Sequence, residues 1–314
     1  MNGEILKIRH YISIARPDNW SKNLSMLGGA WLAYILTDNL YAVEWFALVE
    51  AMVVLCMASS ANYTINEYID AHFDKFHPVK RNRASVKHAL NVKIVIGQYF
   101  VLAASSLAIA HSINPQVTYV VMVYLVGAWF YNIPPVRIKD ITYWDVVLES
   151  LNYPLRILVG WFCILPFSLP PSSIILIAWT VGAFMMSVKR LAEYQLFKKP
   201  SQAVAYRKSY KKYNVKKLIL ASFIYAMLSS FGIAVFLLKY RIEFILAFPL
   251  ISIWFAWYLT LGLSHNQTAI YPEKLLKQHG LVMFSVIIML LLVVLAKIDI
   301  PNLHILNLQL EFGR

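Results

Sequence analysis

Long uninterrupted apolar runs decide what this chain can become. LVMFSVIIMLLLVVLAKI, residues 281–298, carries one charge, near its end. A helix of about 20 apolar residues crosses the hydrocarbon core of a bilayer. Eight more candidate runs lie near 22–37, 44–66, 92–111, 116–131, 145–166, 172–190, 218–238 and 242–263. Continuous apolarity at this length points to helices rather than barrel strands, because in lipid a helix satisfies every backbone group within its own segment. The expected fold class is therefore an all-α integral membrane bundle of nine transmembrane helices, one polytopic domain over residues 1–314. Its polar loops fall near 66–91, 131–145 and 189–217. Only 14% of the residues are charged, against about 25% in soluble domains. Cys56 and Cys163 both sit inside apolar runs and read as small buried hydrophobes, with no metal-ligand or disulfide spacing. The first twenty residues mix charges and aromatics without an apolar core or cleavage site, so no signal peptide is expected.

The charges are distributed unevenly. Lys7, Arg9, Arg16 and Lys22 precede the first run; Lys75, Lys80, Arg81, Arg83, Lys87 and Lys93 fall between the second and third. Arg137 and Lys139, the basic residues from Lys189 to Lys217, and Lys274 and Lys277 fall on the same side of the alternating topology. Lys239, Arg241, Lys297 and Arg314 fall on the other. By the positive-inside rule the N-terminus and the basic loops are expected in the cytoplasm, and the net charge of +13 follows from orientation and attraction to anionic lipid. A nucleic-acid partner is not expected, since no aromatic-studded basic domain stands outside the apolar runs.

Carboxylates gather at the ends of two runs. In NEYIDAHFDKFHPVKRNR, Asn66, Asp70 and Asp74 are spaced by four, so on a continuing helix successive members rotate by about 40° and share one face, with Glu67 beside them. Like charges so placed repel. A divalent cation would offset this, and magnesium is commonly held by one or two carboxylates plus substrate phosphates; a solvated, frayed helix end is the alternative. A second cluster follows YNIPPVRIK: Asp140, then Asp145 and Glu149 four apart, then Arg156 seven residues further into an apolar run. An ionisable group at such a position usually faces a polar cavity. Charge bias puts both clusters at the same membrane face, the arrangement of two acidic sites around phosphate-bridging metal ions. Lys189, Arg190 and Glu193 in MMSVKRLAEYQ end the sixth run at that face; ordinary basic flanking explains the first two equally well.

NEYIDAHFD resembles the Asn-Asp-x-x-Asp-x-x-x-Asp signature of the UbiA superfamily, membrane-embedded nine-helix prenyltransferases that bind magnesium pyrophosphate, and YNIPPVRIK with Asp145 and Glu149 is similar to its second motif region. The resemblance extends to about residue 215. ARPDNWSKNL, HPVKRNR and SVKRLAEY are similar to stretches of the polyprenyl-phosphate phosphoribosyltransferase branch. Glu67 replaces the usual aspartate, Ala84 stands where proline commonly follows the arginine, and YNIPPVRIK is nearer the aromatic-acceptor branches.

The resemblance implies a magnesium-dependent transferase that moves a phosphoribosyl group from phosphoribosyl pyrophosphate to a polyprenyl phosphate in the membrane, releasing pyrophosphate for a cell-envelope product. It implies metal ligation by Asn66, Glu67, Asp70, Asp74 and Asp145, the catalytic group being Asp70, Asp74 and Asp145. Substrate contacts fall to Lys22, Asn23, Glu67, Lys80, Arg83, Lys139, Glu149, Arg156, Lys189 and Arg190. The acceptor phosphate is already anionic, so no general base is required, and His72 and His77 read as solvated or loop-capping. The implied location is the bacterial plasma membrane, with the active site cytoplasmic; a second copy of the chain is compatible with the pattern. Transfer of an isoprenyl group to an aromatic acceptor, a transporter, and an inactive homologue stay open as alternatives.

Overall fold

In a computed structural model of the protein the described residues are 2–37, 45–240, 242–264, 270, 278–301 and 303. Among them every regular element is helical. In chain order these are α1 (Asn2–Ala15), α2 (Met26–Thr37), α3 (Trp45–Asp74), α4 (Ala84–Lys87), α5 (Val92–Ile113), α6 (Pro115–Asn132), α7 (Trp144–Ser150), α8 (Asn152–Ile164), α9 (Ser172–Gln195), α10 (Pro200–Tyr206), α11 (Val215–Tyr240), α12 (Phe248–Leu263) and α13 (His279–Leu295), with short 3-10 turns between several of them. Among the described residues five helical stretches are long and apolar enough to cross a membrane: α3, α5, α9, Val215–Leu237 of α11, and Ile242–Leu263, which adds a 3-10 turn to α12. The other expected spans correspond to shorter or more polar pieces. The orientation reading at Arg241, Lys274, Lys277 and Arg314 lies outside the described residues.

Two helices organise the bundle. The long α3 packs against α1, α5, α6 and α8, and α9 packs against α7, α8, α11 and α12. Ala51, Val54, Leu55, Ala58 and Ala61 of α3 lie in one core with Val121 of α6 and Val159 of α8; Phe184 and Val188 of α9 share another with Phe255 and Tyr258 of α12. Small residues along α3 let its neighbours approach, which is how helices associate where lipid removes the hydrophobic drive. Large apolar side chains stay exposed along the outer helices, among them Phe100 and Val101 of α5 and Phe223 and Phe231 of α11. Such surface suits lipid contact.

The run expected as one helix over 145–166 divides at Leu151 into α7 and α8. Pro154 explains the break: it has no N–H to give to the Ser150 carbonyl, and its ring crowds that carbonyl in a continuous helix. Past the break α8 packs beside α2, while α7 packs against α9.

That α2–α8 contact is backbone on backbone. A Cβ added at Gly29 would lie 2.0 Å from the Ile157 carbonyl oxygen, and one at Gly160 would lie 1.9 Å from that of Met26. Gly127 on α6, by contrast, has nothing within 4 Å of an added Cβ. Gly29→Ala and Gly160→Ala should each force the helices apart and cost at least the about 1–3 kcal/mol of ordinary overpacking, while Gly127→Ala is near neutral. Thermal unfolding in detergent checks this: equal melting temperatures for all three variants would contradict the packing.

Candidate functional site

At one end of the bundle, α3, α7 and α9 present acids and bases to three connectors, 75–91, 133–143 and 196–214, which fold over them. α3 runs helical to Asp74, so Asn66, Asp70 and Asp74 face one side and line a polar cavity of about 120 Å³. Basic residues dominate its wall. Arg16, Lys22, Lys80, Arg83, Lys139, Lys189, Arg190 and Arg207 stand against three carboxylates, those of Asp70, Asp74 and Glu149.

Each carboxylate holds cations. Asp70 accepts from Arg137 at 2.8 Å and from Lys139 at 2.5 Å. The same Lys139 ammonium donates to Oδ1 of Asn66 at 2.7 Å and of Asn132 at 3.0 Å. Asp74 accepts from Arg83 at 2.7 Å. Glu149 takes Lys189 at 3.4 Å, Arg190, and the Tyr131 hydroxyl at 2.6 Å. Burial lowers the Lys139 ammonium to about 8, with Asp70 opposing the fall. Arg137 reaches Asp70 from a left-handed backbone, φ 33°, and also binds Asp140 and the Asn132 carbonyl. For a residue with a Cβ such a conformation is strained and persists only where its surroundings hold it.

Two of the expected metal ligands face elsewhere. Glu67 does not line the charged cavity. It turns to a neighbouring one beside Arg16, Asp18 and Ala84, where it takes Arg83 at 3.0 Å and accepts from Ser85 at 3.1 Å. Asp145 lies fully buried behind the cavity wall. Its oxygens take Arg190 at 2.9 Å, Arg207 at 3.5 Å, Ser209 at 3.2 Å and Tyr213 at 2.7 Å. In this arrangement Asp145 is the counter-ion that holds Arg190 and Arg207.

Glu193, also fully buried, ties the connectors together. It accepts from Lys80 at 2.5 Å, Tyr206 at 3.0 Å and Tyr210 at 2.7 Å. His77 caps its loop: Nδ1 accepts the backbone N–H groups of Val79 and Lys80, both at 3.1 Å. Burial and the Lys80 charge lower this imidazole to about 3. His72 is exposed. Lys22 donates to Asn19 at 2.6 Å. Asn23 is buried, donating to Ser59 at 3.2 Å and accepting from Arg156 at 3.0 Å; neither Asn23 nor Arg156 touches the charged cavity.

Arg16, Tyr131, Tyr206 and Arg207 line the cavity and Arg137 supports it; Arg16 falls within ARPDNWSKNL and Tyr131 and Arg137 within YNIPPVRIK, whereas Tyr206 and Arg207 carry no local signal that separates them from other basic or aromatic residues of the chain. Among the described residues no three His, Cys, Asp or Glu side chains converge as a closed metal site. The donors of Asn66, Asp70 and Asp74 are all oxygens on one face of an open cavity. This set suits a hard cation that completes its coordination with substrate phosphate, provided Lys139 and Arg83 move from carboxylate to phosphate.

Residues 24–276 match the UbiA prenyltransferase family. The chain is 28% identical over 209 residues to the decaprenyl-phosphate phosphoribosyltransferase of Mycolicibacterium smegmatis, covering 64% of this chain and 62% of that protein. It is 29% identical over 210 residues to the enzyme of the same name from Mycobacterium tuberculosis, covering 64% and 65%. The chain thus spans less than two thirds of the length of these curated relatives. Its fold is similar to that of a UbiA homolog from Archaeoglobus fulgidus bound to GPP and Mg2+, with a TM-score of 0.67 at 19% identity over 92% of this chain and 100% of that one.

Asp145→Ala should leave two guanidinium groups buried without their counter-ion and destabilise the protein by about 3–5 kcal/mol. Glu149→Gln, at the cavity wall, should melt much closer to the parent. Unfolding in detergent followed by intrinsic fluorescence compares them; a parent-like Asp145→Ala would remove the counter-ion assignment.

Proposed function

Since the chain belongs to the UbiA prenyltransferase family, we propose that it is a membrane transferase that moves a phosphoribosyl group from phosphoribosyl pyrophosphate to a polyprenyl phosphate, releasing pyrophosphate. One observation carries this reading: eight basic side chains face three carboxylates around the cavity. A single allylic diphosphate needs fewer cations than a donor with a pyrophosphate and a 5′-phosphate meeting an acceptor with a third phosphate. The likeness to the mycobacterial phosphoribosyltransferases supports the same choice.

On this reading Asn66, Asp70 and Asp74 hold magnesium together with the donor pyrophosphate. Magnesium bound there would neutralise charge on the leaving group. The chain's cations do the rest. Lys80, Lys139, Lys189 and Arg190 face the space where phosphate charge accumulates, and carboxylates hold them beside it until the substrate's phosphates take over those contacts. Glu193 and Asp145 orient Lys80, Arg190 and Arg207 from behind. An acceptor phosphate oxygen forms the new bond to the anomeric carbon as the bond to pyrophosphate breaks, and pyrophosphate leaves with the electron pair. The dianionic acceptor gives up no proton, which agrees with a His77 that burial keeps neutral.

The placement follows from the same charges. The chain crosses a bacterial plasma membrane nine times, with the N-terminus and the cavity in the cytoplasm, where a soluble sugar-phosphate donor is available and positive-inside bias puts the connectors.

Incubation of the detergent-solubilised protein with magnesium, labelled phosphoribosyl pyrophosphate and a polyprenyl phosphate should give labelled lipid, and chelation should abolish it. Asp70→Asn and Asp74→Asn should each lower the rate about 100-fold or more. Absence of labelled lipid, with consumption of an isoprenyl diphosphate and an aromatic acceptor instead, would replace this reading by aromatic prenyl transfer.

A further inference from the structure

Arg156 sits in α8, 6% exposed, and among the described residues no carboxylate pairs with it. Its Nε donates to Asn23 at 3.0 Å, but its two terminal nitrogens make only long contacts, each 3.4 Å, to the Asn152 carbonyl and the Tyr124 hydroxyl. A guanidinium buried without a counter-ion is costly. All the other described cations buried at this end of the bundle have one. Arg156 faces a cavity of about 140 Å³ whose polar wall includes Ser59, Asn62, Asn66 and Asn152.

Two features say what enters. First, this cavity shares Tyr63, Asn66, Tyr131 and Glu149 with the charged one, so a group at Arg156 lies next to the donor site. Second, its remaining wall is Val123, Gly127, Leu151 and Leu155, at the gap between α6 and the α7–α8 break. Val123 and Leu151 are 47% and 38% exposed on the outer surface, and nothing stands within 4 Å of where a Gly127 side chain would begin. The opening therefore faces lipid. The larger apolar cavity of about 450 Å³ is lined from the other face of α8 by Tyr153 and Ile157; among the described residues that line it none is charged and none also lines the charged cavity. Its described lining offers no cation to an anionic headgroup.

We propose that Arg156 is the receptor for the phosphate monoester of the acceptor lipid, which enters sideways from the bilayer between α6 and the α7–α8 break. This rests on the phosphoribosyl-transfer reading and adds to it the separation of the two substrates. Lys80, Lys139 and Lys189 serve the soluble donor in the charged cavity, and Arg156 serves the lipid one layer deeper. The guanidinium lacks a carboxylate because its partner is the substrate. Asn23 and Asn152 aim it, and the α7–α8 break leaves the doorway.

Equilibrium binding on the detergent-solubilised protein tests this with two probes, farnesyl phosphate and magnesium phosphoribosyl pyrophosphate. Arg156→Gln should weaken farnesyl phosphate binding about tenfold or more and leave the donor's affinity within twofold. Arg156→Lys should recover part of the loss, and Lys80→Gln should do the reverse of Arg156→Gln. Gly127→Leu, which adds bulk at the doorway where a new Cβ meets nothing within 4 Å, should weaken only farnesyl phosphate. Weakened donor binding with unchanged farnesyl phosphate in Arg156→Gln would overturn the assignment and give Arg156 to the donor. Unchanged affinities for both probes would make it a structural strut. A parent protein that binds neither probe would remove the phosphoribosyl-transfer reading itself, whereas one that binds both while Arg156→Gln is silent removes only the proposal for Arg156.

Discussion

Buried charge is the constraint on which this structure depends. Acids on α3, α7 and α9 and bases on the connectors meet inside a bundle otherwise built from apolar side chains, and none of them can be left alone at that depth. Pairing is what folds the connectors over the helix ends. Arg83 draws residues 75–91 to Asp74 and Glu67, Arg137 and Lys139 draw 133–143 to Asp70, and Arg207 with Tyr213 draws 196–214 to Asp145. The cavity is the space these pairs enclose, and its wall is more basic than acidic.

A wall of that kind is prepared for anions. Ion pairs among side chains hold the lysines and arginines near where phosphate charge will collect, and an incoming polyphosphate can take over contacts that the carboxylates provide in its absence. The carboxylates so released are the oxygen donors a magnesium ion requires. Arg156 stands apart in this scheme. Among the described residues it has no acid to give up, and on the proposal above its partner is the lipid substrate.

Much of the fold was legible in the sequence because membrane helices announce themselves by length and apolarity, and the four-residue spacing of Asn66, Asp70 and Asp74 placed them on one face of α3. The division at Leu151 was passed over because apolarity continues across it, although Pro154 in the interior of that run is a break signal. Glu67 shares the carboxylate motif, yet which way it turns depends on Arg83 and Ser85, eighteen or fewer residues away. Asp145 has the spacing of a ligand, but partners from 196–214 enclose it. Tyr206 and Arg207 could not be singled out, because a local pattern gives no hint of which loop residue a distant acid will draw in. The likeness to UbiA stretches supplied the chemistry, while the pairing that decides which residues touch substrate came only from three dimensions.

The central claim is that phosphate replaces carboxylate as the partner of the cavity's cations. A structure of the protein determined with magnesium and phosphoribosyl pyrophosphate tests it most directly. The account requires the pyrophosphate between Asp70 and Asp74, with the Lys139 ammonium moved from Asp70 onto a phosphate oxygen and Asp145 still bound to Arg190. A donor seated outside this cavity, or one bound there with Lys139 still on Asp70 and no metal between the carboxylates and the phosphates, would contradict it.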